Sequence, residues 1–262
     1  CPSRKSNPGR PERRPVRKRG RALRETGAGG GPDISIVIPI YNEAPFLLNA
    51  VRAIIGEMRA KVDRRFELIL AENGSRDSTI PVAESLKREF PGVIRVLSLP
   101  LPDYGGAMRA GCQTARGHFI VNFDLDYWTV DFIRDALEGM DNLDLVIASK
   151  NLPASEDRRN ILRRFNTWGF RQVLHILFDY PYHDTHGIKI WRASAVREIL
   201  PEVHFDRDLF DTEMILRGVR AGWRVREVPI VVEEKRSPRL SILPRIARTL
   251  RDLITLRKLM KP

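Results

Sequence analysis

The sequence predicts an α/β protein built on an open, mostly parallel, Rossmann-like sheet with helices on both faces, and two observations carry that prediction. Short apolar runs rich in β-branched residues, as expected of strands buried on both faces of a parallel sheet, recur between residues 34 and 148. Between them lie stretches whose apolar side chains fall at helical spacing, and such alternation implies right-handed βαβ crossovers. A length of 262 residues with 42% hydrophobic and 30% charged side chains suits one sizeable domain or two small ones.

The first strand is Ile34-Ser35-Ile36-Val37-Ile38-Pro39-Ile40. A helix follows from Pro45 to about Arg59, because Leu47, Leu48, Val51, Ile54, Ile55 and Met58 share one face. The alternation continues with a strand at 66–71, a helix at 77–89, a strand at 93–97 and a helix at 104–115. It goes on with a strand at 118–123, a helix at 129–138 and a strand at 143–148. The second half is less regular: helix 160–178, strand 187–192, helix 208–221, strand 223–232 and a last helix at 243–260. Trp168, Trp191, Trp223, His175 and Cys112 sit in apolar surroundings and are expected in the core.

The net charge of +12 is unevenly spread. Residues 1–32 carry +8 with five prolines and a glycine-rich end, and are expected to be a disordered basic arm. Residues 235–262 carry another +8, which leaves the body between them at −4. A mildly acidic body argues against nucleic-acid recognition by a folded face, leaving only the arm for it. No run approaches the ~18 apolar residues of a membrane span and no apolar segment follows the basic start, so the chain is expected in the cytosol. Two cysteines, Cys1 and Cys112, give neither a disulfide framework nor a metal spacing. Cys rather than Met at position 1 marks a fragment or a processed start.

Ligands of such sheets bind beyond the carboxyl ends of the strands, and the polar residues are placed accordingly. Tyr41-Asn42-Glu43 follows the first strand, Glu72-Asn73-Gly74-Ser75-Arg76-Asp77 the second, and Asp124-Leu125-Asp126 the fourth. In an extended segment Asp124 and Asp126 point the same way, ~6.6 Å apart along the chain. Two carboxylates suit a hard ion, Mg²⁺ or Mn²⁺, that takes its other ligands from water and phosphate oxygens. An acidic loop capping the helix at 129 is the alternative for the same string. Gly105-Gly106 marks a tight strand-to-helix turn more readily than a phosphate cradle, since no Lys-Ser/Thr follows.

Four phrases in order, Val37-Ile38-Pro39-Ile40-Tyr41-Asn42-Glu43, Glu72 to Thr79, Gly105-Gly106-Ala107-Met108-Arg109-Ala110-Gly111 and Asp124-Leu125-Asp126, resemble the nucleotide-sugar half of glycosyltransferase family 2, with its GT-A fold. Asp184-Thr185-His186-Gly187-Ile188-Lys189, Phe210-Asp211-Thr212-Glu213-Met214-Ile215, Glu227-Val228-Pro229-Ile230 and Arg236 are similar to the second half of the dolichol-phosphate or polyprenyl-phosphate sugar synthases. The resemblance covers about 33–242 and divides the chain into the arm (1–32), a GT-A domain (33–238, with a nucleotide-sugar half at 33–128 and an acceptor half at 129–238) and a basic amphipathic helix (239–262). It implies inverting transfer of a hexose from a nucleotide diphosphate sugar to a polyprenyl phosphate, with a divalent metal, at the cytosolic membrane face. Glu72-Asn73 stands where the family usually has two acids, which leaves UDP or GDP open, and Trp128 stands where mannose-transferring synthases often have Gln. The stretch 184–187 is one residue shorter than the commonest version.

The resemblance puts Pro39, Tyr41 and Glu43 around base and ribose, Glu72 with Asn73 at the base edge, Gly105 beside the nucleotide sugar, and the metal on Asp126, with Asp124 a second ligand or a ribose partner. Lys150, Arg163, Arg164, Lys189 and Arg236 are the candidate phosphate partners, since guanidinium forks match phosphate oxygens. His183 and His186 flank Asp184 and are candidates for the site. A phosphate acceptor arrives ionised and needs no general base, whereas a hydroxyl acceptor does. Asp211 and Glu213 are the candidates for that side, and Asp211 is expected to position acceptor or cation. From 243 onward Ile246, Ala247, Leu250, Leu253, Ile254, Leu256 and Leu259 gather on one side with Arg245, Arg248, Arg251, Arg257 and Lys258 around them. Such a helix lies in an anionic membrane interface, packs on the body or pairs with another subunit. The competing functions are a family 2 transfer to a soluble glycan or small hydroxyl acceptor, nucleotidyl transfer on a similar sheet, and nucleic-acid binding through the arm.

Overall fold

The computed structural model of the protein describes residues 30–152, 155–157, 161–232 and 242–260. The arm, apart from its last three residues, and Arg236 lie outside them. The chain runs β1 (Ile34–Ile40), α1 (Ala44–Lys61), β2 (Phe66–Asn73), α2 (Thr79–Glu89), β3 (Ile94–Leu99), α3 (Tyr104–Thr114), β4 (Phe119–Asn122), α4 (Val130–Leu137) and β5 (Leu145–Ser149). It continues with β6 (Glu156–Asp157), α5 (Ile161–Phe178), β7 (Lys189–Arg192), α6 (Ala193–Ile199), α7 (Phe210–Arg220), β8 (Val225–Pro229), β9 (Val231–Val232) and α8 (Ile242–Leu259).

Among the described residues, seven strands form one sheet in the order β3-β2-β1-β4-β7-β5-β8, and β6 pairs with β9 beside it. All neighbours in the large sheet are parallel except β7, which runs antiparallel to both β4 and β5. The sheet is therefore mixed. The direction of β7 is invisible in an apolar run, because burial on both faces looks the same whichever way a strand points. The short helix α6 also escapes the sequence pattern: it begins directly at the end of β7 and spans seven residues.

The period of two along β1 divides its side chains between two cores. Ile34, Ile36, Ile38 and Ile40 pack with Leu47, Ile54 and Met58 of α1, Leu86 of α2 and Ile133 of α4. Val37 faces the other way, into a cluster with Met108 and Cys112 of α3, Val196 of α6, Ile215 of α7 and Leu253, Leu256 and Met260 at the α8 end. Trp191 and Trp223 are core residues as expected, whereas Trp168 is 55% exposed and His175 is exposed, since both sit on the outer face of α5. Burial, with Asp211 adding to it, pushes the Cys112 thiol up to about 12, so it remains a neutral core group.

Among the described residues no helix is long and apolar enough to cross a membrane. α8 packs on the body through Leu253 and Leu256, while Leu250, Ile254 and Leu259 stay exposed. At the amino ends of the strands Glu67 is closed off by Ser35, Arg95 and the Arg116 backbone N–H.

Candidate functional site

The loops after β1 and β2 brace one another. The Asn42 N–H donates to Ser75 Oγ (2.9 Å), the Arg76 N–H to Asn42 Oδ1 (2.8 Å) and the Glu43 N–H to Thr79 Oγ1 (2.8 Å). Asn42 takes the left-handed conformation (φ 54°), which Asn tolerates better than most residues. Beneath these loops Glu72 is fully buried, accepting from the Ser98 hydroxyl (2.8 Å) and the Ser75 N–H. One oxygen serves the loop after β2 and the other ties to Ser98 of β3. Pro39, Tyr41, Glu43, Asn73, Pro102, Asp103 and Tyr104 line an open cleft of about 300 Å³. Asn73, 4% exposed, has a buried side-chain oxygen without a hydrogen-bond partner. A buried unpaired acceptor at a cleft wall is suited to a donor arriving with a ligand.

Beyond β4, Asp124 to Tyr127 form a tight turn closed by the Tyr127 N–H donating to the Asp124 carbonyl (3.0 Å), with Leu125 buried beneath it. The segment is thus turned, not extended, because a four-residue strand ends at Asn122. Asp124 and Asp126 nevertheless sense each other. Burial raises the Asp124 carboxyl to about 6, with Asp126 and Asp211 adding to the effect and Lys189 and Lys150 opposing it. Burial, rather than a lack of nearby cations, is thus the main reason that the Asp124 charge is disfavoured. Among the described residues no three His, Cys, Asp or Glu side chains converge into a metal cage. A half-buried pair of carboxylates fits a hard cation that keeps water and phosphate oxygens in its other positions.

On the far side, Asp211 stands in the first turn of α7, 4% exposed. Its Oδ2 accepts from the Tyr104 hydroxyl (3.0 Å) and from Lys189 Nζ (3.1 Å), while its Oδ1 is buried with no partner. Lys189 is wholly buried and also donates to the Gly187 carbonyl (2.6 Å). Burial, then the Asp211 and Asp124 charges, hold the Tyr104 phenol well above its ordinary range, so it stays a donor. The loop before β7 closes the site: Asp184 accepts from the His186 N–H (2.8 Å), and Lys150 Nζ lies 3.4 Å from Asp184 Oδ2 and donates to the His186 carbonyl (3.0 Å). Glu227 holds that loop by accepting from the His183 and Asp184 N–H groups (2.9 and 3.0 Å) and pairing with the His183 ring (2.8 Å).

A cleft with aromatic walls thus opens next to an acid-rich turn, with a second acid, backed by a buried ammonium, across from it. The profile of the family described as Glycosyl transferase family 2 matches residues 35–200, which spans β1 through α6. The chain belongs to glycosyl transferase family 2. It is 27% identical over 241 residues to Glycosyltransferase AglD of Haloferax volcanii, a match covering 90% of this chain and 37% of that protein. It is also 27% identical over 241 residues to the dolichyl-phosphate beta-glucosyltransferase of Dictyostelium discoideum, covering 86% of this chain and 73% of that one. Glucosyl-3-phosphoglycerate synthase from Mycobacterium tuberculosis, solved with Mn²⁺, UDP and phosphoglyceric acid, shares the fold at a TM-score of 0.62 and 19% identity, over 88% of this chain and 80% of that one. The chain thus spans little more than a third of the first relative's length and about three quarters of the second's.

Within this family 2 fold, Pro39, Tyr41, Glu43 and Asn73 share one cleft, and Asp124, Asp126, Lys150, Lys189 and Asp211 gather beside it. Four expected residues play other parts. Glu72 is turned inward to the loop. Lys189 is committed to Asp211 and Gly187 instead of facing outward to a phosphate. Gly105 lets α3 approach the 206–207 backbone, since a Cβ there would stand 2.5 Å from the Arg207 nitrogen. Glu213 is fully buried and accepts from the His204 and Phe205 N–H groups (2.9 and 2.7 Å) and from Arg217 (2.7 Å), so it braces a loop. Arg163 and Arg164 lie in the first turn of α5, with side chains outside the described residues. Tyr104 went unnoticed in the sequence; its place at the end of the β3-to-α3 connection, beyond a strand's carboxyl end, was the available signal.

Proposed function

We propose that the chain transfers a hexose, with inversion, from a nucleotide diphosphate sugar to a polyprenyl phosphate presented at a membrane surface. The observation that carries it is the half-buried carboxylate pair of Asp124 and Asp126 in one tight turn beside the cleft of Tyr41, Asn73 and Tyr104, with Asp211 close by. Names carried by relatives support a dolichyl-type acceptor and glucose as the hexose. The cleft of Pro39, Tyr41, Asn73 and Tyr104 would take base and ribose, and the base, uracil or guanine, is left to the assay. Asp124 and Asp126 would hold Mg²⁺ or Mn²⁺, which when bound would neutralise charge on the departing diphosphate, an effect worth several kcal/mol.

Catalysis then asks three things of the chain's own residues. The loops after β1 and β2 hold the donor, and Lys150 adds positive charge near the diphosphate. Asp211, fixed through Oδ2 by Tyr104 and Lys189, keeps its Oδ1 for a cation or a hydroxyl brought in with the substrates, since two anions would repel. An ionised phosphate oxygen attacks the anomeric carbon as the diphosphate leaves from the opposite face, and no proton need be removed. The exposed Leu250 and Ile254 of α8, with Arg248, Arg251 and Lys258, support binding at an anionic cytosolic membrane surface.

The test is a transfer assay with UDP- and GDP-hexoses and a short prenyl phosphate, with and without Mn²⁺. Solvent-extractable labelled lipid that requires the metal and is lost in Asp126→Ala is the expected result. Label found only in water-soluble product would move the acceptor to a glycan or small hydroxyl compound.

A further inference from the structure

A second cavity lies where α5, α7 and α8 meet. It encloses about 250 Å³ and is lined by Phe178, Tyr180, Leu216, Val219, Arg220, Arg257 and Met260. The walls are apolar, since Leu216, Tyr180 and Met260 are buried there. Arg220, which is exposed, and Arg257, which is half-buried, are among the lining residues, and among the described residues no carboxylate pairs with either. Two arginines at one cavity with no carboxylate partner offer charge-assisted donors that an anion would complete. The apolar lining is equally unsuited to a free inorganic ion, which gains nothing from it.

The surroundings say what kind of anion. Leu250, Ile254 and Arg257 follow one another four and three residues apart, so they form a single stripe on α8 that ends at the cavity. Leu250 and Ile254 are 39% and 52% exposed, and Arg251 and Lys258 border them on the solvent side. A stripe of exposed apolar side chains edged with cations and ending in a pair of arginines matches an anionic lipid leaflet, with apolar side chains at the acyl boundary and cations at head-group level. The volume lies just below the roughly 300–1,000 Å³ of small-molecule sites, which suffices for a phosphate and the first carbons beside it. Arg220 lies nine residues along α7 from Asp211, roughly 14 Å at helical rise, so the cavity is separate from the transfer site. The two are mechanically joined, because the Tyr180 hydroxyl donates to the Asp184 carbonyl (2.8 Å) in the loop that closes that site.

We infer that this cavity binds the phosphate of an anionic membrane phospholipid between Arg220 and Arg257, seating the protein on the leaflet that holds its acceptor. The inference rests on the membrane-borne acceptor proposed above. The test uses the full chain and vesicles of neutral phosphatidylcholine with or without phosphatidylglycerol. Arg220→Gln/Arg257→Gln is compared with Arg248→Gln/Arg251→Gln, which removes the same charge from outside the cavity. Expected is a loss of at least 10-fold in partition onto anionic vesicles for the first pair, a markedly smaller loss for the second, and unchanged weak binding to neutral vesicles. Equal losses for the two pairs would mean diffuse attraction and would overturn the site. A soluble short-chain phosphatidylglycerol should perturb the Met260 methyl resonance of the wild type and not of the cavity variant, while inorganic phosphate at the same concentration should not; equal perturbation by phosphate would remove the lipid from the assignment. Transfer to a short prenyl phosphate in detergent, with no vesicle present, should be retained by the cavity variant. Absence of such transfer in the wild type would defeat the proposed reaction while leaving the vesicle result standing.

Discussion

Asp124 is a carboxyl kept near pKa 6 in the folded protein, chiefly by burial. A carboxyl whose folded pKa exceeds its unfolded value of about 4 gains a proton on folding between the two, so the metal-free protein loses stability as pH rises from about 4 to 6. Asp124→Asn should therefore stabilise the metal-free protein above pH 7 by about 1–3 kcal/mol, with the gain vanishing toward pH 4. Thermal melts at the two pH values check this; an equal gain at both would show that charge is not its cause. Asp211→Asn keeps the partners of Oδ2 in reach while removing the negative charge. Transfer to a phosphate acceptor should fall roughly 10-fold with the shape of its pH profile kept, whereas a loss of 10²-fold or more together with the acidic limb would make Asp211 a general base. Glu213→Ala leaves two backbone donors unpaired and takes from Arg217 its buried partner, with only the exposed Glu202 remaining to it, a loss of about 2–4 kcal/mol visible in urea unfolding. A normally stable variant with no transfer would return Glu213 to acceptor binding. The sequence could place Asp211 and Glu213 in one helical turn, but which of them faces the cleft depends on the loop at 204–205 packed beside it, and that contact has no local signature.

At the scale of elements, α3 is held against β1 by the absence of a side chain. A Cβ on Gly111 would stand 2.3 Å from Val37 Cγ1, so Gly111→Ala should force the helix off the sheet and lower stability by about 1–3 kcal/mol in denaturant titration. Because Asn73, Tyr104 and Asp103 share the cleft, donor affinity should weaken alongside. The parallel strands and their helices were legible because each carries its own periodicity, and the four phrases marked the loops at their carboxyl ends. The second half was less so. β7 enters the sheet against its neighbours, α6 spans seven residues, and the tight turn at Asp124 replaces an extended end; all three are set by tertiary packing rather than by local pattern.

For the molecule as a whole, α8 belongs to the fold as well as to the surface. Leu253 and Leu256 are fully buried in the second core, so deleting 242–260 should lower the melting temperature as well as any vesicle binding. Leu250→Ser/Ile254→Ser removes only exposed side chains and should weaken vesicle binding with the melting temperature within a few degrees of wild type; a collapse of stability would mean that this stripe is packed, not free.

The reversed strand β7 also orders assembly in time. β3, β2, β1 and β4 can pair as soon as residue 122 has been made, but β5 has neither neighbour until β7 and β8 arrive, some forty and eighty residues later. The first half of the sheet can thus close during synthesis, while the second half waits for distant chain segments whose closure entropy slows their joining. A nascent chain halted before residue 189 would hold the floor of the cleft between Pro39 and Tyr104 without Lys189 or Asp211, a cup finished before the hand beside it.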